Sequence, residues 1–206
     1  MPIDVLVSDL GKVILPFDFT PRQQFLRQRC RLPHTEGNAE ALAHALHALH
    51  EELDFGKGAC SAEAFYCKVV ERLNLEVSYE EFCVGYSDYF WEDWAVAELI
   101  RQARVQKRVL LSNTDAIHWQ WIRKRYGALL SVFDHLLASQ ELQALKPHPE
   151  IYRKVEALTG HPPEAHLLID DLAENVEGAI ACGWDGIVYA NVEALEAQLR
   201  TRNLLP

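Results

Sequence analysis

Four short stretches of this sequence carry residue types that could act together on a phosphorus centre. Asp9 stands in V-L-V-S-D-L-G-K-V, Ser112 and Asn113 in L-S-N-T-D, Lys146 in A-L-K-P-H-P-E-I-Y, and the pair Asp170 and Asp171 in L-L-I-D-D-L-A-E-N-V. A carboxylate such as Asp9 can attack phosphorus and split one difficult hydrolysis into two displacements. Asp9 and Asp170, brought close, would repel each other, so a divalent cation between them is expected, and an oxygen-only donor set favours Mg²⁺. Ser112 and Lys146 offer a hydroxyl and an ammonium to the remaining phosphoryl oxygens, where charge develops in the transition state. Each feature alone has a plain alternative. An Asp after an apolar strand is commonly a turn or cap residue, an acidic pair before a helix favours its dipole, and a lone Lys is usually solvated. Four such features in order, each closing or following an apolar run, outweigh those alternatives, because structural context adds what a single match lacks.

The elements that must position these residues can be read from periodicity. Ile3–Val7, Arg108–Ser112, His166–Ile169 and Gly186–Tyr189 are short apolar runs of the kind found in parallel strands covered on both faces, with a weaker run at Val132–Ala138. Helical spacing falls between them, over Ile117–Tyr126, Pro149–Leu158, Ala173–Cys182 and Val192–Arg200. Strands alternating with helices imply βαβ units and an α/β fold with an open, doubly wound parallel sheet. From about Thr20 to Trp94 the alternation stops, and Pro21–Cys30, Glu36–Glu52, Ser61–Leu73 and Tyr79–Tyr89 read as four helices. Residues 1–16 and 96–206 are thus expected to form the α/β core, and 17–95 a small helical cap inserted after the first strand. In open α/β sheets ligands bind at the carboxyl edge, and a cap over that edge would exclude water.

The four motifs and the insertion resemble the haloacid dehalogenase (HAD) superfamily along nearly the whole chain. That family's first motif is D-x-D-G-T/V after a strand, its second a Ser or Thr, its third a Lys and its fourth an acidic pair; D-L-G-K-V, L-S-N-T-D, L-K-P-H-P-E-I-Y and I-D-D-L-A-E-N-V stand in those places. The D-x-G first motif with S-N-T and I-D-D-x-x-x-N-V is similar to bacterial sugar-phosphate phosphatases of the glucose-1-phosphate phosphatase kind. The resemblance implies a HAD-like Rossmannoid core and a Mg²⁺-dependent phosphatase of small phosphate esters, acting through an aspartyl-phosphate intermediate. Asp9, Ser112 and Lys146 would be catalytic, and Asp9, the Gly11 carbonyl, Asp170 and Asp171 would hold the metal. Asn113, Lys12 and Lys57 are candidates for substrate binding, although Lys57 in D-F-G-K-G also fits a solvated surface turn. The chain departs from the family at Gly11, where typical phosphatases carry the acid that protonates the leaving group. Without that acid, aldose 1-phosphates and other good leaving groups are expected to suit the site best. Asp18, in P-F-D-F-T, is a candidate replacement or an ordinary turn residue.

Other features bound the function. The chain has 206 residues, 49% hydrophobic and 24% charged, the balance of a folded soluble protein. A net charge of -10 without a basic run excludes a broad nucleic-acid surface, which phosphates would find repulsive. There is no apolar run long enough for a membrane span. The five cysteines are irregularly spaced with no C-x-x-C pair, which fits reduced thiols and a cytoplasmic location. His44, His47 and His50 recur every third residue and are expected to drift around a helix rather than share a face. Trp91 and Trp94 are expected to pack where the cap rejoins the core. The expected partner is a small phosphorylated metabolite. Two other classes fit parts of the pattern: a metal-independent 2-haloacid dehalogenase, which also needs no second acid in its first motif, and a non-catalytic protein that binds phosphorylated metabolites. If Asp9 is the nucleophile, Asp9→Asn should abolish turnover without unfolding the chain, and rapid acid quench with intact-mass measurement should show a phosphoryl adduct on the wild type alone. Full activity in Asp9→Asn would end the nucleophile assignment.

Overall fold

The structure is a computed structural model that describes residues 2–33 and 38–205. Five strands, β1 (Val5–Ser8), β2 (Lys107–Ser112), β3 (His135–Ala138), β4 (His166–Asp170) and β5 (Asp185–Val188), form one sheet in the order β3-β2-β1-β4-β5. Every pairing is parallel, and Ser8 is level with Leu110 on one side and Ile169 on the other. Val5, Leu6 and Val7 of the central strand are all fully buried. A parallel strand covered on both faces has no polar side to present, which is why V-L-V reads as a continuous apolar run.

Alternate residues of the strands feed two different cores. Leu6, Leu110, Leu167 and Ile169 pack with α5 (Trp94–Gln102), α6 (Ala116–Arg125), α7 (Gly127–Leu130) and α11 (Val192–Thr201). Val5, Val7, Val109, Leu111 and Leu168 pack with α9 (Pro149–Thr159) and α10 (Ala173–Ala181) on the opposite face. The expected α/β architecture, with helices on both faces of a parallel sheet, is therefore what the chain adopts, and each foreseen strand is present within three residues of its expected ends.

Between β1 and α5 the chain forms α1 (Thr20–Arg29), α2 (Ala39–Glu52), a 3-10 turn at Phe55–Lys57, α3 (Ala62–Leu73) and α4 (Tyr79–Ser87). The expected start of α2 at Glu36 lies outside the described residues. Asn38, Ser61 and Ser78 cap α2, α3 and α4 by accepting from Ala41, Ala64 and Glu81, and Glu81 returns the bond to Ser78 in a full capping box. The third hydrophobic cluster draws its buried residues from Leu26 to Tyr86, joined by Ile117 of α6.

Helix α5 went unforeseen, and its range overlaps the expected domain boundary at 95/96. Asp93 caps it by accepting from Ala95, and Val96, Ala97 and Ile100 face the core at helical spacing. Trp91 and Trp94, expected to pack at this junction, are 52% and 47% exposed. The aliphatic stripe fills the space beneath α5, so the larger rings are left outside. No described helix is long and apolar enough to cross a membrane. All five cysteines are free.

The cap turn is fastened to the core through α8 (Ser139–Leu142), where the Ser139 hydroxyl donates to the Gly56 carbonyl at 2.6 Å. Gly58, just beyond the turn, has φ +71°, and a Cβ there would collide with the Gln140 carbonyl. Gly160 has a similar φ of +73° with open space around it. Gly160→Ala should thus cost only the left-handed backbone penalty, about 1–2 kcal/mol, while Gly58→Ala should cost clearly more. Thermal melts of the two variants compare them directly, and an equal loss would show that the cap turn does not bear on α8.

Candidate active site

The central position of β1 brings the four motifs together. Asp9 directly follows β1 at the carboxyl edge, its amide donating to the Ile169 carbonyl at 2.8 Å. Ser112 ends β2, Lys146 lies between α8 and α9, and Asp170 ends β4. The Lys146 ammonium, 4% exposed as a residue, donates to Asp9 Oδ1 at 2.6 Å, Asp170 Oδ2 at 2.7 Å and the Leu111 carbonyl at 2.8 Å. An ammonium has three protons, and all three are placed. The repulsion expected between Asp9 and Asp170 is therefore partly relieved by a lysine between them. The other Asp170 oxygen accepts from the Leu172 amide at 3.0 Å and the Asn175 side chain at 2.9 Å.

Burial pushes the Asp9 carboxyl up to about 6, aided by Asp170 and opposed by Lys146. Burial also raises Asp171, with Lys12 opposing it and Asp170 adding to it. Burial alone would lower Lys146, but Asp9 and Asp170 hold its ammonium above the ordinary lysine range. Oxygens of Asp9, Asp170 and Asp171 all lie within 4.8 Å of one another, the one such His/Cys/Asp/Glu group among the described residues. Three carboxylates face two ammonium groups here, Lys146 and the Lys12 ammonium, 3.6 Å from Asp171. That leaves an excess of negative charge before any anionic substrate arrives. A hard divalent cation fits such a donor set by charge and by oxygen chemistry.

The remaining sequence candidates divide. Asn113 clasps the backbone of Lys146 with its side-chain amide, donating to its carbonyl at 2.8 Å and accepting from its amide at 2.9 Å. The side chain thereby fixes the loop that carries the ammonium, and its second amide hydrogen is left for another acceptor. Lys12, with φ 57°, and Lys57 both line the cavity at the carboxyl edge, and Lys57 is paired with Asp54 at 2.8 Å. Asp18 accepts from the amide and hydroxyl of Thr20 at 2.9 and 2.8 Å, bonds that hold its carboxyl below the usual range. It is the turn residue that opens α1. A Cβ on Gly11 would stand 3.1 Å from Phe17, so an aromatic ring fills the side-chain space at that position.

The motifs open into a cavity of about 640 Å³ between the strand ends and the helical insertion. Phe17, Phe19, Tyr86, Tyr89 and Phe90 line it together with Asp9, Ser112 and Lys146. His44, His47 and His50 all reach it as well, contrary to the expected drift. At about 100° per residue, a step of three falls only about 60° short of a full turn, so the two steps from His44 to His50 stay within an arc of about 120°. No metal-holding cluster forms from them among the described residues.

Sequence reasoning missed a buried group beside the second motif. Asp115, 1% exposed, caps α6 by accepting from the amides of Ile117 and His118, each at 3.0 Å. The same carboxylate meets His118 Nδ1 at 2.6 Å, the Tyr86 hydroxyl at 3.0 Å and His50 Nε2 at 3.4 Å. These contacts hold its pKa far below the ordinary carboxylate range against the cost of burial. His118 Nε2 lies 2.7 Å from the Tyr89 hydroxyl. The signal available in the sequence was D-A-I-H, an Asp at a helix start with a His in its first turn. The tyrosines come from the helical insertion and its return to the core, so no local pattern could join them to it.

Residues 93–183 match the haloacid dehalogenase-like hydrolase family. The chain is 25% identical over 201 residues to a protein named phosphatase MT3486 from Mycobacterium tuberculosis, covering 89% of this chain and 85% of the relative. Its fold is similar to a HAD family enzyme of Bacteroides thetaiotaomicron solved with magnesium and inorganic phosphate, with a TM-score of 0.74, 22% identity and 91% and 94% of the two chains covered. It is also similar to L-2-haloacid dehalogenase from Xanthobacter autotrophicus, with a TM-score of 0.62, 20% identity and 99% and 85% covered.

Burial by itself would lower His50, but its contacts with Asp115 and Glu51 win and hold its pKa above the ordinary histidine value. A basic group with a raised folded pKa adds stability that is full below its unfolded value of about 6.5 and is lost as pH climbs through the folded value. His50→Gln should therefore be less stable than the wild type near pH 6, with the gap narrowing toward pH 9. Melting temperatures across that range measure it. A gap that widens with pH would overturn the assignment of His50 as the cation beside Asp115.

Proposed function

We propose that the chain, whose residues 93–183 match the haloacid dehalogenase-like hydrolase family, is a hydrolase of that kind and a Mg²⁺-dependent phosphatase of small phosphate esters. The observation that carries this reading is the set Asp9, Lys146, Asp170 and Asp171 at the carboxyl edge, opening into an aromatic-walled cavity. The phosphatase name of the mycobacterial relative, and the magnesium and phosphate bound by the Bacteroides enzyme, support it.

In this reading Asp9 attacks phosphorus and becomes an aspartyl phosphate, which water then hydrolyses. Lys146 holds Oδ1 of Asp9 and favours its ionised, nucleophilic form. Ser112 donates its hydroxyl to a phosphoryl oxygen, and the Asn113 backbone stands beside it while its side chain keeps Lys146 in place. Asp9, Asp170, Asp171 and the Gly11 carbonyl would hold Mg²⁺, which would supply positive charge against the phosphoryl group. Lys12 and Lys57 attract the anionic ester at the cavity mouth, and the helical insertion keeps bulk water away. We further assign the substrate to the sugar phosphates, with aldose 1-phosphates favoured among them, because an anomeric oxygen leaves with less help from an acid than a primary alkoxide does.

The dehalogenase reading draws on Gly11 and on the likeness to the Xanthobacter enzyme. A metal-independent enzyme gains nothing from Asp171, whose carboxyl lies beside Asp170 and is raised partly by it. That like-charge pair favours the phosphatase.

Purified protein should hydrolyse members of a phosphate-ester panel with Mg²⁺, lose that activity in a chelator, and regain it on re-addition of the metal. Asp171→Asn is the cleaner metal variant, since Asp170 also anchors Leu172, Asn175 and Lys146. It should raise the Mg²⁺ concentration needed for half-maximal activity about tenfold or more. Chelator-resistant release of halide from a 2-haloacid, with no phosphate released, would replace this reading by the dehalogenase one.

A further inference from the structure

Gly11 provides no proton for the leaving oxygen, and the Phe17 ring occupies the space where a side chain could have done so. Phe17 packs edge-on against Tyr89, with ring centroids 6.1 Å apart, so the wall beyond Gly11 leads to a phenol. The Tyr89 hydroxyl lies 2.7 Å from His118 Nε2, and His118 Nδ1 lies 2.6 Å from Asp115 Oδ2. All three residues line the cavity that contains Asp9, yet none is more than 7% exposed. We infer that they form the proton relay of the reaction: the Tyr89 hydroxyl protonates the leaving oxygen, His118 reprotonates Tyr89, and Asp115 positions the imidazole. The inference rests on the phosphatase reading of the same site.

The hydrogen-bond inventory fixes which nitrogen exchanges its proton. Asp115 accepts from two backbone amides and the Tyr86 hydroxyl, so it is an ionised, accepting group. Nδ1 of His118 must then carry a hydrogen toward it, and Nε2 is the nitrogen that gains or loses one. Nε2 faces both a donor and an acceptor, the Tyr89 hydroxyl at 2.7 Å and the Tyr86 carbonyl at 3.1 Å. The neutral ring accepts from the Tyr89 hydroxyl, and in the protonated ring the Nε2 hydrogen faces the Tyr89 oxygen, its acceptor in the relay, with the Tyr86 carbonyl beside it.

Tyr89 also has help in carrying charge. The Arg22 guanidinium lies 5.1 Å from the Tyr89 ring centroid and 4.2 Å from that of Phe19, and its buried Nε has no hydrogen-bond partner among the described residues. A cation held over the phenol favours the anionic oxygen that forms while the proton is in transit. The opposing influence is burial, which pushes the Tyr89 hydroxyl upward. His118 behind it limits the time spent as phenolate.

The relay balances over both displacements. In the first, an Asp9 oxygen bonds to phosphorus and the ester P–O bond breaks. The electron pair left on the ester oxygen takes the Tyr89 proton, and Tyr89 takes the Nε2 proton of the imidazolium. In the second, water bonds to phosphorus, the Asp9–phosphorus bond breaks and restores the carboxylate. The proton from water passes through Tyr89 to His118 and regenerates the imidazolium.

Leaving-group dependence tests this. Wild type, Tyr89→Phe, His118→Gln and Asp115→Asn are compared on a primary-alcohol phosphate and on 4-nitrophenyl phosphate with Mg²⁺, following the first turnover and the quenched protein by intact mass. Tyr89→Phe and His118→Gln should slow the first turnover of the alkyl ester about 10²–10⁴-fold. Both should leave the first nitrophenolate burst nearly intact and accumulate a phosphoryl adduct, because the second displacement then lacks its base. Asp115→Asn should show the same pattern more weakly. Equal losses on both esters with no adduct would reduce the group to a structural contact and overturn the relay, while the wild type's turnover would leave the phosphatase reading standing. A wild type inactive on every ester would sink both together.

Discussion

A single buried ammonium ties the molecule's chemistry to its fold. Lys146 spends its three protons on Asp9, Asp170 and the Leu111 carbonyl, groups that belong to the ends of three adjacent strands. Removing any partner would leave a charge in a low-dielectric interior, which is far more costly than the pair is worth in stability. The order β3-β2-β1-β4-β5 is what makes the arrangement possible, because it puts β1 between β2 and β4. The Asn113 clamp on the Lys146 backbone then prevents the loop from carrying the ammonium elsewhere. Sheet order, strand register and loop conformation all converge on that one charge.

The parts of this that could be read from sequence are those encoded locally. V-L-V, V-L-L and L-L-I are apolar on both faces, and each leads into a polar residue of the site, so strand and chemistry appear side by side. Ser61 before Ala62-Glu63-Ala64 shows a helix start equally plainly. Helix α5 was obscured because two tryptophans drew attention from the smaller Val96, Ala97 and Ile100 that it buries. The histidines of α2 were misjudged by treating a three-residue step as a large drift. The hold of Asn113 on the Lys146 backbone could not be read either, because residue type says what a side chain can do and not which of several polar partners will claim it.

The aromatic wall was invisible for a different reason. Tyr86 belongs to α4, Tyr89 follows it, and His118 lies on α6, with Tyr86 stacked on His118 at 4.2 Å between ring centroids. Such a contact exists only once the helical insertion has folded against the sheet. Ile117 joins the insertion's hydrophobic cluster at the same place, so the first turn of α6 serves both sides of the cavity. Asp115 stabilises that turn by capping it, and the same carboxylate is the partner of two histidines and a tyrosine. A cap residue chosen by helix physics is thereby also the electrostatic centre of the second side of the site.

The two carboxylate centres differ in a way that suits different tasks. Asp9 is raised to about 6 by burial and by Asp170, because one lysine must serve two acids. Asp115 is held far below the ordinary range, because several donors converge on it alone. The first is an under-compensated group that gains from an added cation. The second is over-compensated and stays anionic through any proton movement nearby. Environments that push two acids apart in this way assign them separate roles. In the proposed reaction Asp9 is the group that changes its covalent state, and Asp115 the fixed negative charge against which a neighbouring imidazole gains and loses a proton.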